Sequence, residues 1–107
     1  MKFKIAVIAA AKSDLREIFH YVELNDSLER ADKLADGIEQ AIAALAEMPQ
    51  RGHCPPELNR IGNRDIREIH FKPYRIMYSI RENEVIVLCV MDGRRDMQTL
   101  LQQRLLR

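Results

Sequence analysis

The stretch Tyr74-Arg75-Ile76-Met77-Tyr78-Ser79-Ile80-Arg81 decides the fold. It alternates with the period of a β-strand: Tyr74, Ile76, Tyr78 and Ile80 share one face, and Arg75, Met77, Ser79 and Arg81 share the other. One face is apolar enough for a core. The other carries arginine, whose desolvation without a partner costs free energy. Arg75 is therefore expected on a sheet surface or edge, facing an anion or a protein partner.

Two further strands flank this one. Ile66 to Lys72 precedes it, and Val85 to Met91 follows a turn at Arg81-Glu82-Asn83-Glu84. The second of these is continuously apolar, which predicts a central strand covered on both sides. Gly93 breaks it, and Met97 to Leu106 is predicted as a terminal helix.

Upstream, Phe3 to Ile8 reads as a short strand with β-branched Ile5, Val7 and Ile8. Lys2 and Lys4 before an apolar run resemble a secretory leader. That run is at the lower limit of about 7–15 apolar residues for such a leader, so the strand reading is preferred. Leu15, Ile18, Phe19 and Val22 then form one helical stripe. Asn25-Asp26 ends that helix, and Asp26 is expected to cap the next, with Glu29 completing a capping box. Ala31, Leu34, Ala35, Ile38, Ile42 and Leu45 form the second stripe. A short link between two amphipathic helices implies an antiparallel hairpin. Pro49 and Gly52 stop the second helix, and residues 49–64 are expected to form a long loop rich in breakers.

The predicted order is β-α-α-β-β-β plus a C-terminal helix. This is an α+β fold, a helical hairpin packed on a small, largely antiparallel four-stranded sheet. Residues 1–107 are expected to form one domain. The hairpin takes one sheet face. The opposite face is expected to stay open, concave and cationic.

Composition narrows the function. The chain has 107 residues, 47% hydrophobic and 31% charged, with a formal net charge of +1. That excludes the basic field of a general nucleic-acid coat protein. No apolar run approaches the ~20 residues that span a bilayer. Cys54 and Cys89 form no CxxC pair, which suits a reducing cytoplasm. His53 beside Cys54 has poor zinc spacing, so no metal or cofactor is expected. His20 reads as a bland helix residue, Cys89 as a small buried hydrophobe, and Tyr74 and Tyr78 as core aromatics.

An ordered set of residues then carries a resemblance. Its elements are Asp14-Leu15 with Ile18, Leu45 with Pro49 and Gly52, Arg67-Glu68, Tyr74-Arg75-Ile76-Met77-Tyr78, and Gly93-Arg94-Arg95-Asp96 before a tail of leucine and arginine. Over nearly its whole length the chain resembles the RelE/ParE toxin superfamily, within it the ParE-like branch. The resemblance implies a bacterial, cytoplasmic toxin of a type II toxin-antitoxin system, of the kind linked to plasmid stabilisation. Its expected partners are a cognate antitoxin, ParD-like or other, and DNA gyrase, which ParE-like members inhibit by binding. The target-binding residues implied are Arg75, Arg94, Arg95 and Arg104. RelE-like members instead cleave ribosome-bound mRNA, and Arg75 and Arg95 match the two arginines of that chemistry. A third alternative is a non-toxic member that only binds antitoxin.

Departures from the nuclease pattern favour a binder over an enzyme. The strand before the Tyr-Arg motif lacks the paired lysines, and Met97 to Arg107 has no tyrosine. A guanidinium stabilises charge but is a poor proton shuttle. Histidine is the usual proton shuttle, but parity sets His70 opposite Arg67, so it is given no part in proton transfer. No direct nucleic-acid binding is expected of a binder. Asp92, just before Gly93-Arg94-Arg95, is expected to draw Arg94 or Arg95 away from phosphate. A secondary reading pairs Arg75 with a carboxylate such as Glu68 across the hairpin. On the open-face reading, Arg75→Ala should leave the fold nearly unchanged.

Overall fold

A computed structural model describes residues 2–105. Its elements are β1 (Lys4–Val7), α1 (Ala9–Asn25), α2 (Leu28–Ala44), α3 (Pro56–Asn59), β2 (Ile66–Phe71), β3 (Tyr74–Arg81), β4 (Glu84–Asp92) and α4 (Met97–Leu105). A short 3-10 turn spans Pro49–Arg51. The sheet order is β1-β4-β3-β2, with β1 parallel to β4 and the other pairs antiparallel. The expected α+β architecture is therefore present. The predicted terminal helix residue Leu106 lies outside the described residues.

The capping expectation needs correction. Ser27, not Asp26, caps α2, its hydroxyl accepting the Arg30 N–H at 3.1 Å. Asp26 instead closes α1, its N–H donating to the Val22 carbonyl at 2.8 Å. Serine in extended backbone places its oxygen over the first orphan amides of a helix. Residues 49–64 are also not a plain loop, since they hold the 3-10 turn and α3.

The hairpin packs on one sheet face. Ile38, Ile42 and Leu45 meet Tyr74, Ile76, Tyr78, Val85, Val87 and Val90 in one buried cluster. The alternation read in β3 is thus realised, and Tyr78 is fully buried.

The opposite face is not open, as expected, but largely covered. Leu58 of α3 and Met97 and Leu101 of α4 pack there on Ile66, Met77, Cys89 and Met91. A register shift in β4 selects which of its side chains line that face. Met77 pairs with Cys89 and Tyr78 with Val87, leaving Leu88 as an extra residue. Such a bulge turns the following side chains over. Val87 faces the hairpin while Cys89 faces α3 and α4. The apolar run of β4 feeds two cores, and the unpaired residue decides which side chains reach each.

Candidate functional site

The uncovered part of the second face lies around Arg75. A cavity of about 390 Å³ there is lined by His53, Glu57, Glu68, His70, Arg75 and Gly93, among others. Three features of the fold assemble it. Tyr78 anchors the loop after α2, its hydroxyl donating to the Pro49 carbonyl at 2.7 Å and accepting the Gly52 N–H at 2.9 Å. Arg67 adds a bond to the Gly52 carbonyl at 2.7 Å. His53 then pairs with Glu68 as one more β-bridge, through backbone bonds of 3.1 and 2.8 Å. Gly52 is required by this approach, because a Cβ there would lie 2.6 Å from the Glu68 carbonyl oxygen and 2.6 Å from the Tyr78 hydroxyl.

Arg75 is not a free surface cation. Its Nε donates to Glu68 Oε1 at 2.6 Å and its Nη2 to Glu68 Oε2 at 2.8 Å. Nη1 and Nη2 also reach the two oxygens of Glu57 at 2.9 and 2.8 Å. A guanidinium has five N–H donors, and four bonds to two carboxylates leave one uncommitted. Its side chain is only 12% exposed, and that of Glu68 is 1% exposed. Hydrogen bonding to Arg75 holds the Glu57 carboxyl down at about 2. Glu57 first, and Glu68 with it, push the Arg75 guanidinium still higher than usual. Gly93 closes over this group, since a Cβ there would lie 2.9 Å from Arg75 Cδ.

The expectation that His70 stands apart from the Arg75 group is corrected. His70 pairs directly with Arg75 across the hairpin, and its Nε2 lies 3.0 Å from Glu68 Oε1. His53 Nε2 lies 3.3 Å from Glu68 Oε2. Facing away from Arg67 means facing the same way as Arg75, because residues paired across two strands share a face.

The other arginines lie elsewhere. Arg94 forks onto its neighbour Asp92, at 2.9 Å from Nε and 2.6 Å from Nη2. That bond pulls the Asp92 carboxyl below its usual range. Arg104 clamps both oxygens of Asp14 at 2.9 Å, while the Val90 N–H donates to the same carboxylate at 3.0 Å. The Arg104 guanidinium is raised by that bond to Asp14. Arg95 is exposed and lines a second cavity of about 450 Å³ with Arg104, Asp14, Glu17, Tyr21 and Tyr74. The four arginines singled out in the sequence therefore divide between two cavities and an exposed turn.

Sequence reasoning missed Glu57, His53 and His70 as members of the Arg75 group. His70 was recoverable, since a turn at Lys72-Pro73 sets Phe71 opposite Tyr74 and so His70 opposite Arg75. Glu57 sits in the four-residue α3 and His53 in an isolated bridge, both too short to leave a periodic signal.

Comparison with known proteins completes the picture. The family described as "ParE toxin of type II toxin-antitoxin system, parDE" matches residues 7–97. No curated protein sequence matches the chain. Among solved structures, the chromosomal ParDE toxin-antitoxin system of P. aeruginosa aligns with a TM-score of 0.71 at 16% identity, over 85% of this chain and 96% of that one. An arginine-to-alanine mutant of the E. coli toxin RelE in the free state aligns at 0.62 and 14% identity, over 94% and 93%. The RelBE2 toxin-antitoxin complex of Mycobacterium tuberculosis aligns at 0.55 and 19%, over 86% and 92%. These likenesses establish a shared RelE/ParE fold, and with the match over residues 7–97 this chain belongs to the ParE toxin family of type II toxin-antitoxin systems.

Proposed function

We propose that the protein is a bacterial cytoplasmic toxin that inhibits DNA gyrase by direct binding and is neutralised by a cognate antitoxin. The observation that carries this reading is the engagement of Arg75 by Glu57 and Glu68. A phosphate would have to displace two carboxylates from that guanidinium. Cleavage of mRNA needs a cation free to stabilise the phosphorane and a proton donor beside it. Here the cation is committed to other anions, and α4 contributes no aromatic hydroxyl. The presence of two histidines, His53 and His70, beside Arg75 favours the nuclease alternative, but both imidazoles point at Glu68.

The target surface proposed is the part of the arginine set that remains reachable. It centres on exposed Arg95, with Arg94 still accessible while bonded to Asp92 and Arg104 at the cavity rim while clamped to Asp14. The antitoxin is expected on apolar surface of the helical hairpin, where Tyr21, Leu24 and Leu28 are exposed around the α1–α2 turn. An amphipathic helix suits such a surface, and β1, an edge strand, could accept an added strand. The ParDE and RelBE2 structures are both described as toxin-antitoxin systems or complexes, which supports a partner of this kind.

A supercoiling assay tests the proposal. Purified toxin should block gyrase-driven supercoiling of relaxed plasmid, and equimolar antitoxin should restore it. Unchanged supercoiling at saturating toxin would reject gyrase as the target.

A further inference from the structure

We propose that His53, Glu68 and His70 form a binding site for one divalent transition-metal ion, with zinc as the natural probe. The metal-binding atoms of these residues all lie within 4.8 Å of one another. They do not derive from the His53-Cys54 pair, since the Cys54 thiol is turned to the Arg64 carbonyl at 3.7 Å. They come from the meeting of a loop and a strand.

The donor set suits the ion. Two imidazoles and one carboxylate are a ligand combination that zinc accepts with a fourth position left open. Bond lengths of about 2.0–2.2 Å in a tetrahedral site put neighbouring ligand atoms roughly 3.3–3.5 Å apart. The imidazole-to-carboxylate separations, His70 to Oε1 at 3.0 Å and His53 to Oε2 at 3.3 Å, are near that value, each to its own oxygen of the one carboxylate. The remaining adjustment is rotation of two exposed rings, whose side chains are 62% and 54% accessible. Those rings meet edge-on, with centroids 5.6 Å apart. The fourth position would open to solvent.

The frame is rigid where it must be. His53 is held against Glu68 by two backbone bonds, and His70 follows two places along the same strand. Glu68 is nine-tenths and more buried and is oriented from behind by the Arg75 fork. A carboxylate fixed by an outer partner is the usual support of a metal ligand. Charge favours a cation as well. Arg75 contributes one positive charge and Glu57 with Glu68 two negative charges, so the group carries a formal surplus of one negative. Arg75 repels an added cation, and Glu57, bonded to its far edge, offsets that repulsion. The inference shares Glu68 and Arg75 with the observation behind the gyrase reading, but titration with metal alone tests it whatever the cellular target is.

Isothermal titration of the untagged full chain with zinc chloride tests it. The expected result is one saturable equivalent per chain. His53→Ala and His70→Ala should each weaken binding more than tenfold, whereas His20→Ala and Cys54→Ser should leave it unchanged. Both cluster histidines are exposed, so the variants should fold, and circular dichroism without metal checks that they do. Cobalt(II) supplies a second readout: its visible absorption should appear with wild type and fade in both cluster variants. No saturable binding, binding that survives both cluster substitutions, or binding lost in Cys54→Ser would overturn the assignment.

Discussion

Arg75 and Glu68 lock together edge to edge, with Nε 2.6 Å from Oε1 and Nη2 2.8 Å from Oε2, and Glu68 has almost no contact with solvent. This pairing turns the arginine that sequence marks as a ligand into part of the framework. Glu57 seals the other side of the guanidinium. The cost of removing Arg75 therefore falls first on the fold.

Arg75→Ala should be destabilising, contrary to the open-face expectation. Breaking a buried ion pair from one side costs about 3–5 kcal/mol, because the remaining charge is stranded. His53 and His70 stay on Glu68, which places the expected loss at about 3 kcal/mol, near the lower end of that range. Urea denaturation measures it. A loss below about 0.5 kcal/mol, the size typical of a surface substitution, would mean that Arg75 is held no more firmly than an exposed side chain.

Tyr78→Phe removes one hydroxyl and with it two bonds, to the Pro49 carbonyl and the Gly52 N–H. Unsatisfied buried partners cost about 1–3 kcal/mol. The loss should be accompanied by faster amide exchange at Gly52 and His53, since this hydroxyl fixes the loop that carries His53. Unchanged exchange there would show that Arg67 and the His53–Glu68 bridge suffice to hold the loop.

Glu57 gives a pH signature. Its folded carboxyl titrates near 2 against an ordinary value of 4.5. A depressed carboxyl contributes stability that is complete above its unfolded value and lost as pH falls through its folded one. Wild type should therefore exceed Glu57→Gln in stability at pH 6, and the gap should shrink steadily from about pH 4.5 towards pH 2. A constant gap over that range would remove the Arg75–Glu57 bond from the account.

Most of the fold was legible in the sequence because it rests on periodicity. The helical stripes and the alternation of Tyr74 to Ile80 locate the hairpin and the first core directly. The second core was not legible. It depends on the unpaired Leu88, which turns Cys89 and Met91 over, and on Leu58, carried by a helix of four residues. Neither leaves a periodic trace. The site was half legible for the same reason. Strand positions such as His70 follow from register, whereas Glu57 reaches Arg75 from α3, a helix of four residues that leaves no periodic signal.

The thiols check the second core. Burial pushes Cys89 up to about 12, so it should stay inert to a thiol reagent in the native protein. Cys54 is only partly covered and should react. Native titration should count one fast thiol, with Cys89 appearing on denaturation. Two fast thiols would mean that α4 does not close over β4.

The central claim is that Arg75 is held by carboxylates and is not poised for phosphate. Primer extension on ribosome-bound mRNA treated with the purified toxin tests it most directly. Full-length products at every toxin concentration are predicted, and toxin-dependent stops within the ribosomal A-site codon would contradict the claim.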